Sequence, residues 1–372
     1  MKDSNQPVLN SNLAKYQAII DQHSDKAFDL HQLVRPNIRS LKPYSSARHE
    51  FEGTAEVYLD ANENPFNNGM NRYPDPLQWQ VKQPLSKIKG VPPENIFLGN
   101  GSDEPIDLLM RIFCEPGIDN IITLPPTYGM YQVSADINNV AIKKVNLTVD
   151  YQLDVDKILT AADTHSKILF ICSPNNPTGN AMDRSDIEAL IQEFRGIVVI
   201  DEAYIDFSSE ESCIDFIEQY SNVVILQTFS KAWGMANIRL GMAFTNTDII
   251  ALFNKVKPPY NINELTQRAA LTAFKNKDEV KASVRTILKE RSRLEDRLPR
   301  FSFVEEVYPS DANFILAKVD EPKRLYDFLV GRGIIVRDRS KVTLCEGCLR
   351  FTVGRPEEND RLVAALEGFL RS

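Results

Sequence analysis

The chain has 372 residues, 43% of them hydrophobic, with 43 Lys and Arg against 51 Asp and Glu and a formal net charge of −8. At roughly 150 residues per domain that suffices for two domains with a large core, and an acidic balance without a dense basic tract argues against a nucleic-acid partner. No apolar run approaches the ~20 residues of a membrane span, and the opening MKDSNQPVLNSN is polar where a secretory signal would be apolar, so a cytoplasmic protein without membrane partners is expected.

Residues 1–30 are polar, with one helical pattern around Leu13, Tyr16, Ile19 and Ile20, and read as an appended arm. From Val34 to Asn64 the chain is irregular, and the loop NRYPDP at 71–76 presents Tyr73 from a proline-stiffened turn. A regular alternation then begins. Strands are expected at Asn95–Leu98, Asn120–Leu124, Val140–Val145, Ile168–Cys172, Ile197–Ile200, Val223–Gln227 and Gly241–Thr245. Helices lie between several of them, such as Arg184–Phe194 and one following Gly101-Ser102-Asp103-Glu104-Pro105 that Ser102 or Asp103 should cap. The pattern predicts an α/β domain with a mostly parallel seven-stranded sheet covered on both faces.

A long helical region at about Glu264–Arg297 leads into shorter elements: strands near Phe301–Tyr308, Asn313–Val319, Ile334–Arg337 and Leu349–Val353, and helices near Pro322–Arg332 and Glu357–Leu370. These read as a smaller α+β C-terminal domain. The expected division is 1–30 as the arm, 31–75 as a segment serving the small domain and the active site, 76–297 as the large domain and 298–372 as the small one. Five dispersed cysteines, Cys114, Cys172, Cys213, Cys345 and Cys348, form no disulfide framework, and the lone CxxC has neither a second CxxC nor a nearby His to complete a metal site.

Ligands of parallel sheets sit beyond the carboxyl ends of the strands, and several polar loops fall there. Asn100-Gly101-Ser102-Asp103 opens a helix and makes an anion site, although Asn-Gly alone is also a hairpin turn. Tyr128, in PPTYG, could stack on a flat heterocycle or fill the core. Ser173-Pro174-Asn175-Asn176-Pro177-Thr178-Gly179 is a tightly specified turn. Asp201 is a carboxylate ending a buried strand, which is costly unless it meets a cation or donor, and Tyr204 follows it. The last loop carries Thr228, Ser230, Lys231 and Arg239. A single lysine is usually a solvated one, but in this order the loops describe one pocket. A phosphate would rest at Ser102, Ser230 and Arg239, an aldehyde on Lys231, a ring under Tyr128, and a ring nitrogen kept protonated on Asp201. Those are the requirements of pyridoxal 5′-phosphate.

SPNNPTG, DEAY and SKAWGMANIRLG resemble the fold-type-I pyridoxal-phosphate aminotransferases, and NRYPDP, PPTYGMY and GIIVRD resemble the histidinol-phosphate aminotransferases, from about Tyr44 to the C-terminus. The resemblance implies that Lys231 is the Schiff-base lysine and the base that moves the substrate's α-proton, that Asp201 pairs with the pyridinium, and that Asn176 and Tyr204 bond the ring hydroxyl. It places Gly101, Ser102, Asp103, Thr228, Ser230 and Arg239 about the cofactor and Tyr128 on its ring. Tyr73 is implied to reach the cofactor of a partner subunit in a homodimer. Arg350 and Arg337 resemble arginines that grip the substrate's anionic groups, and Tyr44 would add a phosphate donor. The implied reaction exchanges an amino group between histidinol phosphate and 2-oxoglutarate, giving glutamate. An aromatic amino-acid aminotransferase and a threonine-phosphate decarboxylase are the alternatives. Trp233 departs from the aromatic residue found in many relatives, and the arm departs from them as well.

Overall fold

The computed structural model describes residues 28–43 and 56–370, so the pattern around Leu13–Ile20 and the candidate Tyr44 lie outside the described residues. The strands of the first sheet are β1 (Ile96–Asn100), β2 (Asn120–Thr123), β3 (Ala141–Lys144), β4 (Ser166–Cys172), β5 (Ile197–Asp201), β6 (Val223–Thr228) and β7 (Leu240–Phe244). They are ordered β1-β7-β6-β5-β4-β2-β3. The strands from β2 to β6 pair in parallel, while β7 runs antiparallel to both β6 and β1. The seven-stranded, mostly parallel α/β sheet is thus as the alternation predicts.

Every residue of β5 and β6 is buried, because helices cover both faces of the sheet. Phe170 and Val199 pack into one cluster and their sequence neighbours Ile171 and Ile200 into the other. Two-sided burial is why these strands read as unbroken apolar runs and not as alternating ones.

Helix α1 (Asp103–Phe113) buries Ile106, Leu109, Met110, Ile112 and Phe113 on the sheet. The expected cap is not made: Ser102 stands at the N-cap with helical dihedrals (φ −68°, ψ −12°) and no side-chain cap bond. Glu104 instead reaches back to the amide of Asn100, which leaves Ser102 unspent on the helix. Helix α2 (Arg184–Glu193) is held by Asp183, whose side chain accepts from the Ser185 amide. The long helical region is two helices, α3 (Glu264–Lys275) and α4 (Lys277–Arg297), separated at Asn276 (φ −103°, ψ 23°). Asparagine competes for backbone hydrogen bonds and is a poor helix-interior residue, which accounts for the break.

The second sheet contains β8 (Val304–Val307), β9 (Phe314–Val319), β10 (Arg337–Asp338) and β11 (Cys348–Thr352), all antiparallel in the order β10-β11-β9-β8. The expected strand at Ile334–Arg337 is shorter and later. Gly333 turns at φ +72° and the Ile334 amide closes on the Leu329 carbonyl, finishing helix α5 (Pro322–Val330) before pairing can begin. Strands β9 and β11 alternate with a period of two. Ile315, Ala317, Leu349 and Phe351 pack beneath α5 and α6 (Pro356–Phe369), whereas Leu316 and Cys348 join the core of the large sheet and Phe314 packs with Tyr204 and Phe207. Arg350 is on this second face, in register with Leu316 and with Arg337.

Within residues 31–75, Val34 and Ile38 pack on the large sheet beside Ile112 and Phe253. The Arg35 amide bonds the Ile112 carbonyl, fixing that attachment. Among the described residues no helix is long and apolar enough to cross a membrane, and no cluster of three or more His, Cys, Asp or Glu could hold a metal. All five cysteines are buried and free.

Candidate active site

Topology gathers the polar loops at one edge. The carboxyl ends of β1, β4, β5 and β6 lie there, and β7, being antiparallel, begins there: Asn100 pairs with Leu240 and Thr228 with Gly241. Arg239 therefore reaches the edge from the opposite chain direction to Lys231. A cavity of about 140 Å³ opens at this edge, and Ser102, Asp103, Tyr128, Asn176, Asp201, Tyr204, Thr228, Ser230, Lys231 and Arg239 are among the residues that line it.

At the helix end the backbones are crowded. Gly101 has φ +69° and its amide donates to the Arg239 carbonyl at 2.9 Å. A Cβ on Gly101 would stand 2.6 Å from Arg239 Nη2, and one on Gly241 would stand 2.2 Å from the Gly101 carbonyl carbon, so this approach requires glycine on both strands. Arg239 itself has φ +51°. Its Nη2 lies 3.3 Å from Asp103 Oδ2, while Tyr128 Oη donates to Asp103 Oδ1 at 3.1 Å. Asp103 thus spans the guanidinium and the tyrosine, a reason for a carboxylate at an anion site that the sequence does not reveal. Thr228 Oγ1 accepts from the Ser230 amide at 3.1 Å and shapes the same turn.

At the other end Asp201 is 2% exposed. Tyr131 Oη donates to its Oδ2 at 2.7 Å and the Ala203 amide to its Oδ1 at 3.1 Å. Burial pushes its carboxyl up to about 6, with those two hydrogen bonds opposing. Lys231 stands at the open mouth, with Nζ 5.5 Å from the centre of the Tyr204 ring. Although the residue as a whole is solvent-accessible, burial of its amine and then the charge of Arg350 lower its pKa. The Tyr204 hydroxyl is raised, first by burial.

Arg350 extends from β11 over the Phe314 ring, 4.8 Å from its centre, and donates to Asn176 Oδ1. Asn176 is thereby oriented with its amide nitrogen free of hydrogen bonds among the described residues. The loop before it is fixed by Asn175, which donates to the Pro126 carbonyl at 2.8 Å and to Thr178 Oγ1 at 2.7 Å. Gly179, at φ +94°, brings its carbonyl to the Asp311 amide at 2.7 Å and so joins this loop to the small domain.

Two candidates lie apart from the cavity. Tyr73 is half exposed and stacks on Tyr260 at 4.4 Å between ring centres, and Arg337 borders a separate shallow cleft with Tyr326 and Thr352. Sequence reasoning missed Tyr131, Cys172, Ala203 and Ala236 around the cavity, and Arg339 beside Arg350. Tyr131 had a signal in its spacing of three from Tyr128, whereas Arg339, just past the two-residue β10, had none in the sequence alone.

The residues fit pyridoxal phosphate. Asp201 is a buried carboxylate that makes no salt bridge among the described residues, and a protonated ring nitrogen supplies the missing cation. The glycine-crowded helix end supplies amides, hydroxyls and a guanidinium suited to a phosphate.

The sequence profile described as aminotransferase class I and II matches residues 49–366. A histidinol-phosphate aminotransferase of Parabacteroides distasonis is 54% identical over 339 residues, 91% of this chain and 98% of the relative. The crystal structure of the histidinol-phosphate aminotransferase from Clostridium acetobutylicum superposes with a TM-score of 0.75 at 26% identity, covering 81% of this chain and 91% of that one. The fold is also that of the Sinorhizobium meliloti histidinol-phosphate aminotransferase in complex with pyridoxal-5′-phosphate, with a TM-score of 0.75 at 22% identity over 100% of this chain and 98% of that one.

Proposed function

We propose, from the premise that this chain belongs to the aminotransferase class I and II family, that it exchanges an amino group between L-histidinol phosphate and 2-oxoglutarate with pyridoxal phosphate as cofactor. The observation that carries the reading is the meeting of Asp201, Asn176, Tyr204 and Lys231 at one cavity, with Arg350 bonded to Asn176, within a chain 54% identical to a curated enzyme of that activity. Bound pyridoxal phosphate supplies an aldehyde to take up the amino group and a protonated ring to draw electrons from the substrate's α-carbon.

The chain's residues do the rest. Ser102, Ser230, Arg239 and the amides at the start of α1 hold the phosphate, with Asp103 orienting Arg239 and Tyr128. Asp201, anchored by Tyr131, holds the proton on the ring nitrogen. Asn176 and Tyr204 donate toward the ring hydroxyl. Lys231 carries the proton to and from the substrate's α-carbon, for which an amine with a lowered pKa is suited. Arg350 orients the substrate's anionic group above the ring, and Arg337 extends the positive surface outward.

The active unit in this reading is a homodimer in which Tyr73 serves the partner's site. Supporting it, Val57, Leu59, Phe66 and Met70 are at least 69% exposed in the single chain, an apolar surface that a second subunit would cover. The same reading places the enzyme in the cytoplasm. The purified protein, loaded with cofactor, is expected to form glutamate from histidinol phosphate and 2-oxoglutarate. Glutamate from phenylalanine alone, or carbon dioxide from threonine phosphate, would overturn the donor assignment.

A further inference from the structure

Arg350 and Arg337 face each other across β11 and β10, and pairing continues one step further, where the Arg339 amide donates to the Cys348 carbonyl at 2.9 Å. Residues two apart on a strand share a face, so Arg337 and Arg339 project to the side that carries Arg350, toward the large domain. Three guanidiniums thus share one surface, and none of them forms a salt bridge with an acidic residue among the described residues. Arg339 is only partly exposed, yet its Nε is buried with no hydrogen-bond partner among the described residues, and the same holds for Nε of Arg350. Two orphaned, desolvated donors on adjacent strands are costly unless an anion completes them.

Among the described residues, the remaining neighbours of Arg339 do not supply that anion. Its surroundings include Arg350, Arg337, the Tyr204 hydroxyl and the Cys345 thiol. Burial pushes Cys345 up to about 11 and raises Tyr204, so both are neutral at physiological pH. Asp338, the nearest carboxylate in sequence, is engaged with Ser340 through both its amide at 2.8 Å and its hydroxyl at 2.6 Å. A single carboxylate on a ligand would neutralise one of three cations. A phosphate monoester carries about −1.5 to −2 charge at pH 7 and three acceptor oxygens, and it fits the cluster better.

We propose that Arg339 is a third anion-binding residue of the substrate pocket and that it sets the preference for a donor bearing a phosphate monoester. The inference rests on the reading of the donor as a phosphorylated amino alcohol and adds a residue that the expected pair, Arg337 and Arg350, leaves out.

The test uses holoenzyme carrying Arg339→Gln, Arg339→Met or Arg339→Lys, with histidinol phosphate and unphosphorylated histidinol as alternative donors and inorganic phosphate as a competing ligand. Loss of the guanidinium in the Gln and Met variants should raise KM for histidinol phosphate about 10- to 100-fold, as removal of a charge-assisted bond does, with a smaller change in kcat. The inhibition constant of inorganic phosphate should rise in parallel, KM for histidinol should move little, and Lys should restore part of the loss. Equal losses with both donors, or an unchanged phosphate inhibition constant, would overturn the inference and leave Arg339 a packing residue. A wild-type enzyme that ignores histidinol phosphate would sink the donor assignment, while the phosphate inhibition constant, followed with glutamate as donor, would still decide whether Arg339 binds the anion.

Discussion

At the edge of the large sheet the polar groups are largely engaged with one another before any ligand arrives. Asp201 is held by Tyr131 and the Ala203 amide, Asp103 by Tyr128 and Arg239, and Thr228 by the Ser230 amide. On the small sheet the opposite holds, since Arg339 and Arg350 each keep a buried Nε without a partner among the described residues. The first region is preorganised: a ligand meets groups whose directions are already set, and little reorganisation opposes binding. The second is electrostatically incomplete, so the anion supplies stabilisation that the protein alone lacks. A cofactor that stays bound and a substrate that comes and goes have corresponding needs.

The largest test of the preorganised side is Lys231→Ala. Turnover should fall by roughly 10⁴-fold or more and the visible absorbance of lysine-held cofactor should vanish. Thermal unfolding of the apoprotein should hardly change, because the residue stands at the open mouth and its charge is disfavoured there by burial and by Arg350. Retained absorbance and turnover would remove Lys231 from the site. Arg350→Gln probes the incomplete side. It should lower kcat/KM by about 10- to 100-fold for both amino donor and 2-oxoglutarate, with apoprotein stability unchanged or improved as a desolvated charge is lost. A clear fall in apoprotein stability would show instead that Arg350 acts chiefly through its contacts with Asn176 and Phe314, and the contrast between the regions would fail.

The two regions were also unequally legible in the sequence. Val223–Thr228 and its neighbours announced buried parallel strands through unbroken β-branched runs, and the residues just after them, Asn176, Asp201 and Lys231, followed from the rule that sites lie at strand ends. Arg239 lies before a strand, and only the antiparallel direction of β7, which no local pattern encodes, brings it to that edge. Tyr131 reads as a core residue because it is one: it is fully buried and stacked on Phe170, and its hydroxyl matters only through a partner 70 positions away. Arg339 was missed for a related reason. A two-residue strand such as β10 is too short to display its period, so the shared face of Arg337, Arg339 and Arg350 emerges only from cross-strand register. Ser102 reads from the sequence both as a helix cap and as part of an anion site, and the helix does not use its side chain as a cap.

Tyr131→Phe should have the smallest effect and gives the sharpest reading of preorganisation. Its hydroxyl opposes the burial that lifts Asp201 to about 6, so its removal must raise that pKa further. A carboxyl whose folded pKa exceeds its unfolded value of about 3.9 disfavours the folded apoprotein once pH climbs through that window, so wild-type apoprotein should lose stability between about pH 4 and 6 and then level off. In the Phe variant the loss should extend to higher pH. Cofactor affinity has the opposite dependence, because the ring nitrogen needs ionised Asp201: affinity should weaken as pH falls below about 6 in the wild type and begin to weaken at higher pH in the variant. At neutral pH the variant should bind cofactor a few-fold more weakly, the worth of about 1 kcal/mol for one hydrogen bond. If the two pH profiles superimpose, Tyr131 only fills space behind Asp201, and the cofactor edge owes its order to packing instead of to the hydrogen bond that Tyr131 makes.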